Sequence, residues 1–387
     1  MVRMFFIAAA VFSVSAAAPA QQPDPGPVTA HGDWSADTRN GWSGDDGPHV
    51  QLNLRSTDGS HQWGFGVRTI DLAGLPPAAA SGVAAGVRFS LSREAGVFRF
   101  EGAFDNGRGD GTFTFSASPA FIAAMSAAGY RNLAPDTILR LAVTNVTASY
   151  VQELAGAGYK GLELDSVIRM RIHRVTAEFI RELATLGYRS LMSDDLVRMR
   201  IHGATPEFVR SLQAAGFTGL SMEELVKFRI HGVTPEFVKA MADLGYKDLD
   251  REQLVRFRIH DVTPEFIRAL TDRGYRGVSA EDLVKMRIHN VSAADIDEYK
   301  KMGYSGMGVD ELVKMRIHRV TPGFIREIHD AGYKTVTLEQ LVRMRIHRVD
   351  GEFIRQLQAD GYRDLTVADV IDLAIRGPRF ARVRRPA

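Results

Sequence analysis

From Ser118 onward the chain repeats itself every 29 residues without an insertion or deletion. Units begin at Ser118, Thr147, Thr176, Thr205, Thr234, Thr263, Ser292, Thr321 and Asp350, and the ninth ends near Pro378. A fixed short period means that one supersecondary unit is used again and again. A unit of this size cannot bury an apolar face alone, so neighbours must stack and share a core.

The unit from Thr205 to Val233 reads TPEFVRSLQAAGFTGLSMEELVKFRIHGV. Thr205 suits a helix N-cap, and Pro206 suits the first helical position, where a missing N–H costs nothing. Glu207 in the first turn complements the helix dipole. Phe208, Val209 and Leu212 make one apolar face, and Gly216 fits a left-handed C-terminal cap. The second half opens on a capping box, Ser221 with Glu224, repeated as Thr337 with Gln340. Its Leu225, Val226, Phe228 and Ile230 read as helix, with Glu, Leu, Lys and Arg around them as good helix formers. Val226, Phe228 and Ile230 also alternate as a strand would, so a β-α repeat of leucine-rich type stays open. The expected fold class is mainly α, an α-α solenoid of 29-residue repeats, preceded by a small antiparallel β domain. The first and ninth units lack the motif of the middle seven and are expected to be caps.

That motif is Arg-Ile-His, beginning at Arg171, Arg200, Arg229, Arg258, Arg287, Arg316 and Arg345. Its histidines are His173, His202, His231, His260, His289, His318 and His347, and a Lys or Arg stands two places before each arginine. Repetition makes these groups ladders. Three readings are open. Cations near a helix C-terminus can stabilise its last carbonyls, and an arginine can pair with a neighbour's first-turn acid such as Glu207 or Glu236. Alternatively, Arg171, Arg200, Arg229, Arg258, Arg287, Arg316 and Arg345, with His202, His231, His260 and His289, form a face that binds an acidic partner. Thirdly, equivalent histidines can titrate together as a pH switch. Zinc fits poorly, because ligands placed one per layer cannot converge on one metal. Residues 118–375 carry 35 basic and 35 acidic side chains, so the array is neutral. The whole chain has a formal charge of +2, which gives no bulk attraction to nucleic acid.

Between about Asp33 and Ser116 the period changes to two. Val50, Leu52 and Leu54 alternate, as do Trp63, Phe65 and Val67, then Val87, Phe89 and Leu91, then Phe98, Phe100 and Phe104, then Phe113 and Phe115. Turn residues stand between them at Asp58-Gly59, Glu94-Ala95-Gly96 and Asp105-Asn106-Gly107. About five strands are expected, with Leu72–Gly86 as a crossing loop. Asp105–Gly111 (DNGRGDG) reads as a hairpin turn, because its acids lack the spacing of a calcium loop.

Met1 to Ala20 has a basic start, a short apolar run and small residues in an A-x-A arrangement, the pattern of a secretory signal peptide. An uncleaved anchor is the alternative. The expected boundaries are signal peptide 1–20, linker 21–32, β domain 33–117, repeats 118–378 and a basic tail 379–387. The chain has no cysteine, so no disulfide or lipid-modified cysteine is possible. The expected compartment is periplasmic or secreted. No metalloprotease, P-loop, dinucleotide or serine-hydrolase signature is present, so no catalytic residue, metal or cofactor is expected.

WGFGVRTIDLAGL and REAGVFRFEGAFDNGRGDGTFTF, followed by VTPEFIREL-type repeats, resemble uncharacterised bacterial exported proteins. They also resemble the extracytoplasmic C-terminal region of some membrane metallopeptidases of the beta-lactam-sensor type. The resemblance implies a sensing or interaction role in the bacterial envelope and no residue-level role. The peptidase zinc motif is absent, so protease activity does not carry over. The function expected is a non-enzymatic scaffold or sensor that binds protein, peptide or an acidic envelope polymer. The alternative is a polymer- or glycan-modifying enzyme, with Trp34, Trp42 and Trp63 stacking on sugar.

Overall fold

In a computed structural model of the chain, the residues described are 28–38, 43–44, 47–59, 61–76, 79 and 83–377. The expected signal peptide, most of the linker, Trp42 and the basic tail lie outside the described residues. The chain divides into two compact units. The first runs through Thr185 and includes Arg189–Val197; the second takes in Leu186–Tyr188 and Arg198 onward.

The β domain belongs to the first unit. Its strands are β1 (Val28–Asp37), β2 (Ser43–Gly44), β3 (Gly47–Ser56), β4 (Gln62–Arg68), β5 (Leu72–Ala73), β6 (Val83–Arg93), β7 (Gly96–Asp105) and β8 (Arg108–Ala117). They form one antiparallel sheet in the order β4-β3-β1-β8-β7-β6-β5, with β2 beside β3. Eight strands replace the expected five. β1 already begins at Val28, inside the expected linker, and Leu72–Gly86 contributes β5 and the start of β6. β1 carries its inward side on Gly32, Trp34 and Ala36, which gives little alternation in size to read. A Cβ on Gly32 would sit 2.0 Å from the Arg55 carbonyl oxygen, so the strand needs glycine there.

The sheet curls, because Phe65 on β4 reaches 6.4 Å from Phe98 on β7 although three strands separate them. Trp34, only 2% exposed, fills the interior with Phe89, Phe100 and Phe104 around it. Its indole N–H crosses β8 to donate to the Glu101 carbonyl at 3.1 Å. Gly111 leaves the room for this, since a Cβ there would stand 2.8 Å from the indole nitrogen. At Asp105–Arg108 the hairpin turn has φ of 47° at Asn106 and 78° at Gly107. Two successive left-handed residues are the signature of a type I′ turn, so the hairpin reading of DNGRGDG holds.

The repeats are helix pairs throughout, eighteen helices of eight to ten residues among the described residues. The leucine-rich alternative is therefore corrected. Leu225, Val226 and Phe228 are buried on one helix, Met222–His231, while Ile230 on the same helix is exposed. Thr205 accepts from the Phe208 N–H, and both expected capping boxes are formed. Gly216 is left-handed as expected, with φ of 93°. Within the second unit, second helices stack on second helices and first helices on first, as with Met222–His231 against Arg251–Ile259 and Pro264–Thr271 against Ala293–Lys301.

In the first unit the sheet covers the start of the array. The helix Pro135–Val143 packs on β1 and β8 with Ile138 and Leu139 buried. Glu94 in the β6–β7 turn accepts from the Ala148 N–H at 3.2 Å, at the start of the next helix. The β domain thus caps the apolar face that the first repeat would otherwise leave open.

Candidate interaction surface

The motif arginines are cross-repeat staples. In the second unit Arg229 lies 4.9 Å from the centroid of Phe208, Arg258 4.9 Å from Phe237, Arg287 5.0 Å from Phe266 and Arg345 4.7 Å from Phe324. Each ring stands 21 residues earlier, on the first helix of the same unit. Where the ring is missing, a carboxylate replaces it: Asp295 occupies the phenylalanine position and meets Arg316 at 3.4 Å. A guanidinium over an aromatic face and a guanidinium beside a carboxylate satisfy the same charge by different means. The Nε atoms of Arg229, Arg258, Arg287 and Arg316 also donate to the carbonyls of His202, His231, His260 and His289 at 3.2–3.4 Å. Arg171 in the first unit repeats the arrangement, with the Asn145 carbonyl at 2.9 Å and Tyr150 under its guanidinium. Arg200 also has an interaction partner.

The expected pairing of these arginines with Glu207 and Glu236 is not formed. Glu207 pairs within its own helix with Arg210, and backbone N–H groups at the helix start hold both carboxyls below the ordinary carboxylate range. Cross-repeat ion pairs come instead from the basic residue two places before the arginine. Lys227 meets Glu252 at 2.7 Å and Lys285 meets Asp310 at 2.5 Å, as Arg169 meets Asp194 at 3.0 Å in the first unit. This explains why the array is neutral.

The motif histidines are half-buried. The carbonyls of His202, His231, His260 and His289 accept from the arginines, and the motif histidine rings make no hydrogen bond or ion pair among the described residues. Also among the described residues, no group of three His, Asp or Glu could hold a metal ion.

Between arginine and histidine stands an isoleucine. In the second unit Ile201, Ile230, Ile259, Ile288, Ile317, Ile346 and Ile375 are each 50–56% exposed. Ile172 in the first unit matches them. The sequence carries this row plainly, but with Ile230 grouped with Leu225, Val226 and Phe228 as one helical segment its exposure was not foreseen.

A second row was also missed. Tyr246, Tyr275, Tyr304 and Tyr333 donate their hydroxyls at 2.7–2.8 Å to carbonyls 32 residues on, in the next repeat. Tyr188 does the same to Leu220. Phe217 occupies this position once, and at Tyr362 the buried hydroxyl has no partner among the described residues. Burial pushes the hydroxyl pKa of Tyr246, Tyr275, Tyr304 and Tyr333 up from the ordinary value. Tyr299, bonded to the Val320 carbonyl, is pushed up to about 12 by burial and then by Asp295.

Cavities are open clefts. One of about 770 Å³ runs along the loops of Tyr275, Lys300 and Tyr304 and holds a single carboxylate, Asp282. Another, about 270 Å³ in the first unit, is lined by His31, Asp58, His61, Trp63 and Asp136. The two acids and two histidines are all exposed. Asp58 accepts from Ser56 at 2.6 Å, and His61 stacks on Trp63. Both carboxyls lie open to solvent. Trp34 is core, so it cannot stack on a sugar. No protein-family model matches the chain, and no curated protein matches it.

Proposed function

We propose that the chain is a non-enzymatic scaffold or sensor of the bacterial envelope, and that its helical repeat region binds a protein or peptide partner. The observation that carries this reading is the row of half-exposed isoleucines in the second unit. Single exposed apolar side chains need no explanation, but a regular row on a water-soluble surface does. Isoleucine is also a poor choice for an exposed helical position, because its branched Cβ loses rotamer freedom there. The fold covers only about half of it: the arginine beside it staples the repeats, and the core is filled by Leu, Val, Met and Phe. Covering the remaining half of each isoleucine is worth about 1 kcal/mol. Several in a row exceed what a single contact supplies against the cost of association.

The arginine ladder acts in this reading mainly as internal support, and its outer nitrogens add a cationic border to the apolar row. The signal-peptide pattern of the first twenty residues supports placement in the periplasm or outside the cell. The test is the triple variant I230S/I259S/I288S. It should keep the far-UV circular dichroism and melting of the parent chain while losing a partner that the parent captures saturably from envelope extract. Retention of that partner by the folded variant would reject the reading.

A further inference from the structure

We infer that the isoleucine row of the second unit takes an extended acidic peptide in polyproline-II conformation, with an apolar side chain at every third residue. This rests on the proposed binding role and names the chemistry of its partner. Two properties of the row point there.

The first is period. Packed helices stand about 8–10 Å apart, so one isoleucine is offered about every 8–10 Å along the stacked second helices. A polyproline-II chain advances about 9.3 Å in its three-residue turn and returns every third side chain to the same side. A β-strand returns a side chain to one side about every 6.6 Å and falls out of step.

The second is charge and hydrogen bonding. Arg229 and Arg258 spend Nε on a histidine carbonyl, and no bond to their other guanidinium nitrogens is formed among the described residues. Both residues are exposed, and Ile230 and Ile259 follow them directly. His231 and His260 come next, half-buried and with free rings. These two layers therefore present donors and cationic groups beside their isoleucines, with no acid bound to either arginine among the described residues, whereas Arg287 and Arg316 of the next two layers are paired with Asp261 and Asp295. A polyproline-II chain keeps its backbone carbonyls free to accept from such donors. A helical peptide has already used its carbonyls, so it fits less well. Acidic side chains between the apolar ones complement the border. A sugar phosphate polymer would satisfy the arginines and leave the isoleucines uncovered.

The test uses the full chain and fluorescent peptides of about twenty residues, long enough to span the row at three residues per layer. A repeating Pro-Leu-Glu peptide should bind saturably. Repeating Pro-Leu-Lys, and Pro-Ser-Glu without the leucines, should each bind at least about tenfold more weakly. I230S/I259S/I288S should bind Pro-Leu-Glu about a hundredfold more weakly. Equal binding of Pro-Ser-Glu would overturn the inference in favour of a purely electrostatic face. Equal binding of Pro-Leu-Lys, tighter binding of a helical peptide with leucine at every seventh residue, or no saturable binding of Pro-Leu-Glu would overturn it too. If Pro-Leu-Glu fails while a captured envelope partner is still lost in the triple variant, the scaffold reading stands and this inference falls. If the variant keeps that partner, both fall.

Discussion

The tyrosine row makes two substitutions of the same chemistry act with opposite sign. Tyr275→Phe removes a hydroxyl that donates to the Met307 carbonyl at 2.8 Å. No other hydrogen bond to that carbonyl is made among the described residues, so the change loses one bond and leaves the acceptor unpaired. A net hydrogen bond is worth about 1 kcal/mol, and an orphaned half-buried carbonyl adds a similar amount, giving about 1–2 kcal/mol of destabilisation. Tyr362→Phe removes a buried hydroxyl that has no partner among the described residues. Its desolvation is relieved and nothing is orphaned, so the variant should be more stable by about 1 kcal/mol. Phe217→Tyr supplies the hydroxyl missing from the row and should stabilise as well, the new group reaching toward the Leu249 carbonyl. Urea unfolding followed by circular dichroism reads all three as shifts of midpoint at constant slope. If Tyr275→Phe and Tyr362→Phe shift the midpoint in the same direction, the row is not a set of cross-repeat bonds and the reasoning fails.

Other consequences can be checked alongside. Arg258→Gln loses the contact with Phe237 and the bond to the His231 carbonyl, so about 1.5–2 kcal/mol of stability should go, read in the same urea titration. An unchanged midpoint would make the arginine free for ligand alone. Arg319 sits in the left-handed region with φ of 55°, where glycine stands at the matching Gly203 and Gly232. Arg319→Gly should therefore stabilise by about 0.5–1 kcal/mol, the left-handed penalty less the added chain entropy, and a lower melting temperature would contradict this. The row tyrosines and Tyr299 hold their protons more tightly when folded. Their stabilisation is full below the ordinary tyrosine value of 10.0 and is lost as pH rises toward the folded value, about 12 at Tyr299. Urea midpoints should fall between pH 10 and about 12, and flat midpoints across that window would refute the burial of these hydroxyls.

Much of the repeat was legible because helix starts and stops are written locally. Thr205, Pro206, Gly216 and the Ser221–Glu224 box act within a few residues of themselves, so spacing alone places them. The arginine staples were not legible in the same way. Their ring, carbonyl and carboxylate partners lie 21 to 27 residues away, and only the pairing of the two helices in a unit and the stacking of neighbours bring them together. Asp295 in place of a phenylalanine is the one substitution in the sequence that hints at the pairing. Ile230 gave no sign of its exposure because it stands in an apolar run, yet it lies off the helix face that carries Leu225, Val226 and Phe228. β1 was incomplete because its inward residues, Gly32 and Ala36 beside Trp34, are too small to alternate visibly. The glycines that make room for Trp34 can be explained only after the strands are paired.

The central claim is that the isoleucine row is the recognition face, and a photo-crosslinking amino acid in place of Ile259 tests it most directly. With the full chain in the envelope of cells, illumination should give a discrete adduct of defined mass from position 259. The same residue in place of Lys239, exposed on the first helix Pro235–Asp243 of the same repeat, should give none. An adduct of equal yield from position 239, or none from position 259 while the chain is folded, would contradict the account.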